Sequence, residues 1–192
     1  MKAKIIFQKI KPGPASREEQ RAMARALILR ATGKKLAHSQ TGRPLAGKAM
    51  DVSISHMNDL VCVGLVPKPY RIGVDIERID VEFDAALFFG PVITRVERVF
   101  FRAFCESNNL SLPSGVAVFW SVKEAFFKCL DYDLKPGKIK IAAIAGNGEV
   151  KIDCTDEIKD LMAERRLRMC SIKTFFDRKR NYARAIMEEI RS

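Results

Sequence analysis

Residues 67–77 read Pro-Lys-Pro-Tyr-Arg-Ile-Gly-Val-Asp-Ile-Glu and decide how the chain is organised. The two prolines interrupt regular structure, whereas residues 71–77 alternate apolar with other side chains and predict a strand. Val74 and Ile76 should point into a core, and Asp75 and Glu77 should share the opposite face of the strand. We therefore expect two halves, residues 1–68 and 69–192.

Both halves show patterns of antiparallel strands and helices. The upstream half predicts strands at 3–10, 50–55 and 60–66, a helix from the capping box of Ser16 and Glu19 to Gly33, and an ordered basic loop at 34–48. The downstream half predicts helices at 92–107, 119–130 and 156–165, a break at Pro113 and Gly115, and hairpins at 138–154 and 168–190. The fold class is α+β, with helices packed on one face of an antiparallel sheet in each half.

The composition is that of an ordinary soluble globular domain. Of 192 residues, 47% are hydrophobic and 30% are charged, and no apolar run is long enough for a membrane span or a signal peptide. We therefore expect a cytoplasmic protein without a membrane partner. Five dispersed cysteines without a C-x-x-C pair argue against a disulfide framework or a zinc site.

The charge balance indicates an anionic partner. Lys and Arg outnumber Asp and Glu by 34 to 23, which leaves a net charge of +11. Nucleic acid, a phosphorylated small molecule and an acidic protein all fit this excess, and so does solubility alone.

Carboxylates provide the first candidate site. Asp75 and Glu77 lie side by side, and two such groups repel unless solvent or a cation separates them, so a hard divalent cation is a natural occupant. Glu124 and Lys128 share one face of the helix at 119–130. The alternative is structural, since Ser121 and Glu124 also match a capping box and Lys128 can simply pair with Glu124.

Upstream polar residues provide the second candidate. Arg43 lies between Gly42 and Pro44, which suits a fixed guanidinium for forked contact with phosphate, although a generic loop arginine is equally compatible. Ser55 and His56 end a predicted strand, where a histidine is usually just exposed.

The order of these elements resembles the surfactin-synthetase-activating type of 4′-phosphopantetheinyl transferase. That family has the pattern (V/I)-G-(V/I)-D, a gap of about forty to forty-five residues, and then (F/W)-(S/T/C)-x-K-E-(A/S)-x-x-K. Every position is met here, by residues 72–75 and 120–128. The preceding Gly42-Arg43-Pro44 and Ser55-His56 elements match as well.

The resemblance implies a fold of two similar α+β halves related by a pseudo-twofold axis, with coenzyme A bound as substrate between them. It implies that Asp75, Glu77 and Glu124 hold Mg²⁺, with Mn²⁺ as a possible substitute. The residues that would contact the phosphates of coenzyme A are Arg21, Arg43, Ser55, His56 and Lys128. Arg21 and Arg30 match a paired-arginine helix of the family, and Arg21 would reach the 3′-phosphate.

The implied reaction is attack of a carrier-protein serine on coenzyme A. The partner would be an acidic acyl or peptidyl carrier protein, the product 3′,5′-ADP, and the enzyme a monomer. Glu124 is the favoured base and Lys128 the companion cation; Glu97 and a metal-bound water remain alternatives for the base. One departure is that Phe88-Phe89-Gly90-Pro91 lacks the further acid that some members carry, while Glu97 fits the variant of enterobactin-type members.

Two other functions are compatible with parts of the sequence. A basic nucleic-acid-binding module would interleave exposed aromatics with its positive residues, whereas the aromatics here cluster in apolar pairs, so we expect no nucleic-acid partner. A non-catalytic relative that binds coenzyme A or a carrier protein would not need Asp75, Glu124 and Lys128 intact.

Overall fold

The structure is a computed structural model, which describes residues 3–10, 15–39, 42–177 and 179–190. Ten strands and four α-helices lie within those ranges. The strands are β1 (Lys4–Lys9), β2 (Ala37–His38), β3 (Pro44–Leu45), β4 (Met50–Met57), β5 (Leu60–Pro67), β6 (Tyr70–Arg78), β7 (Ile139–Ile144), β8 (Val150–Cys154), β9 (Leu167–Phe176) and β10 (Arg180–Glu189). The helices are α1 (Arg17–Thr32), α2 (Arg98–Ser107), α3 (Leu112–Leu130) and α4 (Asp156–Glu164).

The two halves repeat one topology. In the first half the sheet order is β1-β5-β4-β3-β2, and in the second it is β6-β10-β9. In each half the opening strand pairs antiparallel with the last strand, the last strand pairs antiparallel with the one before it, and a long helix follows the opening strand. The predicted α+β fold class of antiparallel sheets and helices is confirmed. The division at residues 68 and 69 stays a prediction, although the chain passes from one sheet to the other between β5 and β6.

Three apolar clusters hold these layers together. Helix α1 packs on the first sheet through Ala24, Leu27 and Ile28. Helix α3 packs on the second sheet in the largest cluster. The two sheets meet through a third cluster, in which Val74 and Ile76 are buried as their alternation predicted.

Helix α3 starts earlier than the sequence predicted. Pro113 does not break the helix, because it stands in the first turn, where an amide hydrogen has no intrahelical partner, and Ser111 caps that turn. Gly115 lies inside the helix, and a Cβ there would come within 2.3 Å of Cys105 Sγ, so the glycine permits α2 and α3 to pack closely. The capping role considered for Ser121 is wrong, because Ser121 is in mid-helix and donates to the carbonyl of Val118 at 3.0 Å.

Other differences are local. The loop predicted at 34–48 contains the short strands β2 and β3, and helix α2 begins at Arg98 after a single 3-10 turn at Arg95–Glu97. Both hairpins and α4 are present, with Gly148 at a φ of +79° in the first hairpin turn. The five cysteines are free, and three of them are buried. No helix in the described ranges has the length and apolar character needed to cross a membrane.

Candidate functional site

A cleft of about 960 Å³ lies between α1 and β4 of the first half and the end of α3 in the second. Its positive and imidazole side chains are Arg21, Arg25, His38, Arg43, His56, Lys128 and Arg165. Its acidic side chains are Glu124, Asp131 and Asp133. The surplus of cations makes the cleft suited to an anionic ligand of substantial size.

Asp75 lies beneath this cleft on β6, with 1% of its surface exposed. Its Oδ1 atom accepts hydrogen bonds from Ser55 Oγ at 2.8 Å and from Lys128 Nζ at 2.5 Å. Its buried Oδ2 atom has no hydrogen-bond partner among the described residues. The pKa of Asp75 is raised overall to about 6, because burial and the charge of Glu124 together outweigh the opposing effects of Lys128 and Ser55.

Gly73 explains why α3 can reach Asp75. A Cβ at this position would lie 1.9 Å from the carbonyl oxygen of Ala125 and 2.5 Å from the amide nitrogen of Cys129. The absence of a side chain therefore allows the backbone of α3 to lie directly against β6. This close approach places Lys128 beside Asp75.

Lys128 joins two carboxylates. In addition to Asp75, its Nζ atom contacts Glu124 Oε2 at 2.9 Å, one helical turn earlier on α3. Burial lowers the pKa of Lys128, but Asp75 and Glu124 outweigh that effect and raise the pKa overall. The pairing of Lys128 with Glu124, which a purely structural role would also give, is present. It lies at the cleft, however, and the same ammonium also binds Asp75.

Glu77 belongs to the same electrostatic group. The pKa of Glu77 is raised to about 7, mainly by burial, with smaller increases from the nearby carboxylates of Asp75 and Glu124 and an opposing effect of Lys128. Glu77 and Asp75 are therefore close enough to Glu124 for its negative charge to oppose their ionisation.

This donor set fits a hard divalent cation. Carboxylate oxygens are the ligands that Mg²⁺ prefers, and the partnerless Oδ2 atom of Asp75 offers one of them. Among the described residues no three His, Cys, Asp or Glu side chains form a complete ligand cluster. In this structure the ammonium of Lys128 lies within 3 Å of both Asp75 and Glu124 and pairs with them.

Side chains of β4 fix the position of β6. Every second residue of β4, namely Asp51, Ser53 and Ser55, lies on one face of that strand. In turn, these side chains accept the amide hydrogens of every second residue on β6. The distances are 2.8 Å to Ile72, 3.0 Å to Val74 and 3.3 Å to Ile76. Ser55 therefore holds both the strand that carries Asp75 and the Asp75 carboxylate itself. His56, the next residue, is exposed and lines the cleft.

Arg43 lines the cleft but is itself buried. Its guanidinium forms a fork with Asp51 and also donates to the carbonyls of Lys128 and Ile72. Burial lowers the pKa of Arg43, and the Asp51 carboxylate outweighs this and raises it overall. The predicted phosphate contact remains a prediction, and the structure adds a role in linking the two halves.

Helix α1 presents Arg21 and Arg25 to the cleft. These residues are four apart, so they share one face of the helix, whereas Arg30 follows Arg21 by nine residues and lies on the opposite face. Arg30 is absent from the cleft lining, so the structure does not pair it with Arg21 there.

Glu97 lies away from the cleft in a buried ion pair. Its carboxylate contacts Lys123 Nζ at 2.9 Å and accepts the amide hydrogen of Ile141 at 2.7 Å and that of Thr94 at 2.8 Å. Glu97 is 2% exposed, and Lys123 is fully buried. The pair anchors α3 to the segment before α2 and to β7.

Four cleft-region residues were missed by the sequence reasoning: Arg25, His38, Asp51 and Arg165. Arg25 could have been found from its four-residue spacing from Arg21. Asp51 could have been found from its alternation with Ser53 and Ser55. No local signal marks His38 or Arg165, because the tertiary fold brings them to the cleft.

A family model described as ACPS, the 4′-phosphopantetheinyl transferase superfamily, matches residues 71–169, which include β6 except for its first residue and all of α3. The chain belongs to this superfamily. The segment that matches the 4′-phosphopantetheinyl transferase model contains Asp75, Glu77, Glu124 and Lys128. No curated protein matches the chain.

The fold of the chain is similar to that of a solved structure. The chain is similar to the Chronobacterium ammoniagenes ACPS-CoA complex, with 17% sequence identity and a TM-score of 0.50, over 65% of this chain and 100% of that one. It is also similar to the holo-ACP-synthase from Plasmodium yoelii, with 18% identity and a TM-score of 0.49, again over 65% and 100% of the two chains. At this identity the first similarity shows the fold alone.

Proposed function

We propose that the chain transfers the phosphopantetheine moiety of coenzyme A to a serine hydroxyl of an apo carrier protein and releases 3′,5′-ADP. The single observation that carries the proposal is the convergence of Asp75, Glu77, Glu124 and Lys128 beside a basic cleft in a chain of this superfamily. The proposal extends to the surfactin-synthetase-activating subtype, because both halves of the fold lie in one chain.

The cleft supports coenzyme A as the substrate. Arg21, Arg25 and Arg43 line it together with Lys128 and His56, and coenzyme A carries several phosphate charges. We propose that Arg21 binds the 3′-phosphate and that Arg43, Ser55, His56 and Lys128 bind the diphosphate. Arg43 can contribute one donor, since its other four N–H groups are occupied.

Phosphoryl transfer asks a protein mainly for orientation and charge neutralisation. Asp75, Glu77 and Glu124 would hold Mg²⁺, which supplies charge neutralisation at the diphosphate when bound. Lys128 and His56 would stabilise the charge that builds on the leaving group. The serine oxygen bonds to the pantetheine-side phosphorus, and the bond from that phosphorus to the bridging oxygen breaks, so that oxygen leaves with 3′,5′-ADP.

Glu124 is the proposed acceptor of the serine proton. Its carboxylate lines the cleft and is only partly buried, so an incoming hydroxyl can reach it. Glu97 does not suit this role, because it is 2% exposed and both of its oxygens are already bound.

The surface around α2 supports an acidic carrier protein as the partner. Leu87, Val96 and Val99 are 71%, 69% and 82% exposed. The exposed cations interspersed with them in sequence are Arg95, Arg98 and Arg102. Apolar side chains among arginines favour an acidic amphipathic helix, and we propose that the segment 83–112, which contains this surface, selects the carrier.

Mass spectrometry of apo carrier proteins tests the proposal. A panel of acyl and peptidyl carriers would be incubated with the protein, coenzyme A and Mg²⁺. We expect at least one carrier to gain the mass of one phosphopantetheine. Binding of coenzyme A without loading of any carrier would instead favour a non-catalytic relative.

A further inference from the structure

Asp51 joins three segments of the chain through one buried carboxylate. It lies on β4 with 3% exposure. Its Oδ2 atom accepts the amide hydrogen of Ile72 on β6 at 2.8 Å, and its two oxygens accept Arg43 Nε at 3.3 Å and Arg43 Nη2 at 2.5 Å. Lys68 Nζ, from the connection between β5 and β6, lies 3.9 Å from Oδ1.

Arg43 extends this link to α3. Its Nη2 atom also donates to the carbonyl of Ile72 at 3.2 Å, and its Nη1 atom donates to the carbonyl of Lys128. The carbonyls of the last helical turn have no partner within the helix, so Arg43 satisfies one that α3 leaves open. One guanidinium therefore ties the turn that carries Lys128 to the strand that carries Asp75.

Asp51 also fixes the rotation of that guanidinium. Of the five N–H donors of Arg43, two bind Asp51 and two bind the carbonyls of Ile72 and Lys128. One N–H of Nη1 remains, on a residue that lines the cleft. Because Asp51 binds Nε and Nη2 of the planar guanidinium, it also sets the direction in which this remaining N–H points.

We infer that Asp51 is a positioning residue, which acts through Arg43 to orient the cation-lined cleft and the end of α3 for the phosphates of coenzyme A. The inference rests on the proposed function. A buried ion pair that only stabilises the fold would change stability without changing coenzyme A affinity. A positioning residue requires a loss of coenzyme A affinity that the loss of stability does not explain.

The test is calorimetric binding of coenzyme A to Asp51→Asn, Arg43→Gln and the double variant, with thermal unfolding measured in parallel. Asp51→Asn should weaken binding at least about tenfold, the loss typical of a disturbed charge-assisted hydrogen bond. In the Arg43→Gln background, Asp51→Asn should weaken binding no further, because the carboxylate acts through the missing guanidinium. The double variant should regain stability relative to Asp51→Asn, since no buried charge is left unpaired, but not affinity.

Glu97→Gln is the matched control. It makes the same chemical change in another buried carboxylate that contacts α3, away from the cleft, and should lower stability while coenzyme A affinity stays within about twofold of wild type. Where Asp51→Asn does not fold, Asp51→Glu keeps the charge and displaces it by one methylene, and a weakened affinity is again expected.

Three results would overturn the inference: unchanged affinity in the folded Asp51 variant, an equal loss in Glu97→Gln, or recovery of affinity with stability in the double variant. Because the readout is binding, wild-type protein that binds coenzyme A but loads no carrier would contradict the proposed function alone. Wild-type protein that does not bind coenzyme A would contradict both.

Discussion

Lys128 Nζ lies 2.5 Å from Asp75 Oδ1, although 52 residues separate the two in the chain. The contact joins the opening strand of the second half to the last turn of its long helix, and the same ammonium reaches Glu124 at 2.9 Å. A cation held between two acidic side chains defines the chemical centre of the cleft.

Substitution of Glu124 by Gln should lower kcat/KM for carrier loading by at least about 10²-fold, because the change removes both the proton acceptor and a negative charge from the cation site. Glu97→Gln should lower it far less, since Glu97 is bound to Lys123 outside the cleft. Steady-state kinetics of the two variants provide the comparison. Losses of similar size would show that Glu124 has no special role.

The cation-free protein should become less stable as the pH rises from about 4 to about 7. Burial and neighbouring carboxylates raise the pKa of Glu77 from 4.5 to about 7 and that of Asp75 from 3.8 to about 6. Within this range the folded chain holds protons that the unfolded chain has released, so each increment of pH favours unfolding.

Thermal unfolding in the presence of a chelator measures this effect. Glu77→Gln should flatten the pH dependence relative to wild type, because the glutamine does not ionise. Mg²⁺ with coenzyme A should raise the unfolding midpoint most at the upper end of the range. Identical pH profiles for wild type and Glu77→Gln would contradict the electrostatic account of this site.

Gly73→Ala should destabilise the fold by about 1–3 kcal/mol or more, the cost of inserting a methyl group where nothing can move aside. The nearest atoms are backbone atoms of α3 at 1.9 Å and 2.5 Å from the added carbon. Gly137→Ala is the control, because a Cβ there meets nothing within 4 Å and should change stability by no more than about 0.5 kcal/mol. Chemical denaturation of both variants gives the difference, and equal stabilities would refute the close contact between α3 and β6.

Arg21→Ala should raise the KM for coenzyme A about tenfold with a smaller change in kcat, since the residue lines the cleft but is proposed to bind the 3′-phosphate and not the metal or the diphosphate. Arg30→Ala removes the same charge from the opposite face of α1 and should have little effect. The initial rate as a function of coenzyme A concentration separates the two. An equal rise in KM for both variants would indicate a general charge effect rather than a contact in the cleft.

Short-range patterns predicted much of the fold and little of how the halves meet. Alternation placed Val74 and Ile76 in the core, and Asn147-Gly148 located a hairpin. The start of α3 was missed because a proline in the first turn resembles a helix breaker when read alone. The contact made possible by Gly73 depends on where the end of α3 lies in space, which no local pattern records.

The site shows the same division. Asp75, Glu77, Glu124 and Lys128 were named from their spacing and from the family pattern. Asp51 was missed because its alternation with Ser53 and Ser55 also fits a solvent-exposed polar face of a strand, whereas the fold shows that it is 3% exposed and bound to Arg43. Tertiary contacts therefore determine which polar residues position the cleft.

Electron paramagnetic resonance measures the binding of Mn²⁺ with coenzyme A present. This measurement is the decisive test of whether Asp75, Glu77 and Glu124 together bind one cation. Wild-type protein should bind about one Mn²⁺ per chain, and Asp75→Asn should bind it at least about tenfold more weakly. Equal binding by Asp75→Asn, or no binding by wild type with coenzyme A bound, would contradict a cation site formed by these carboxylates.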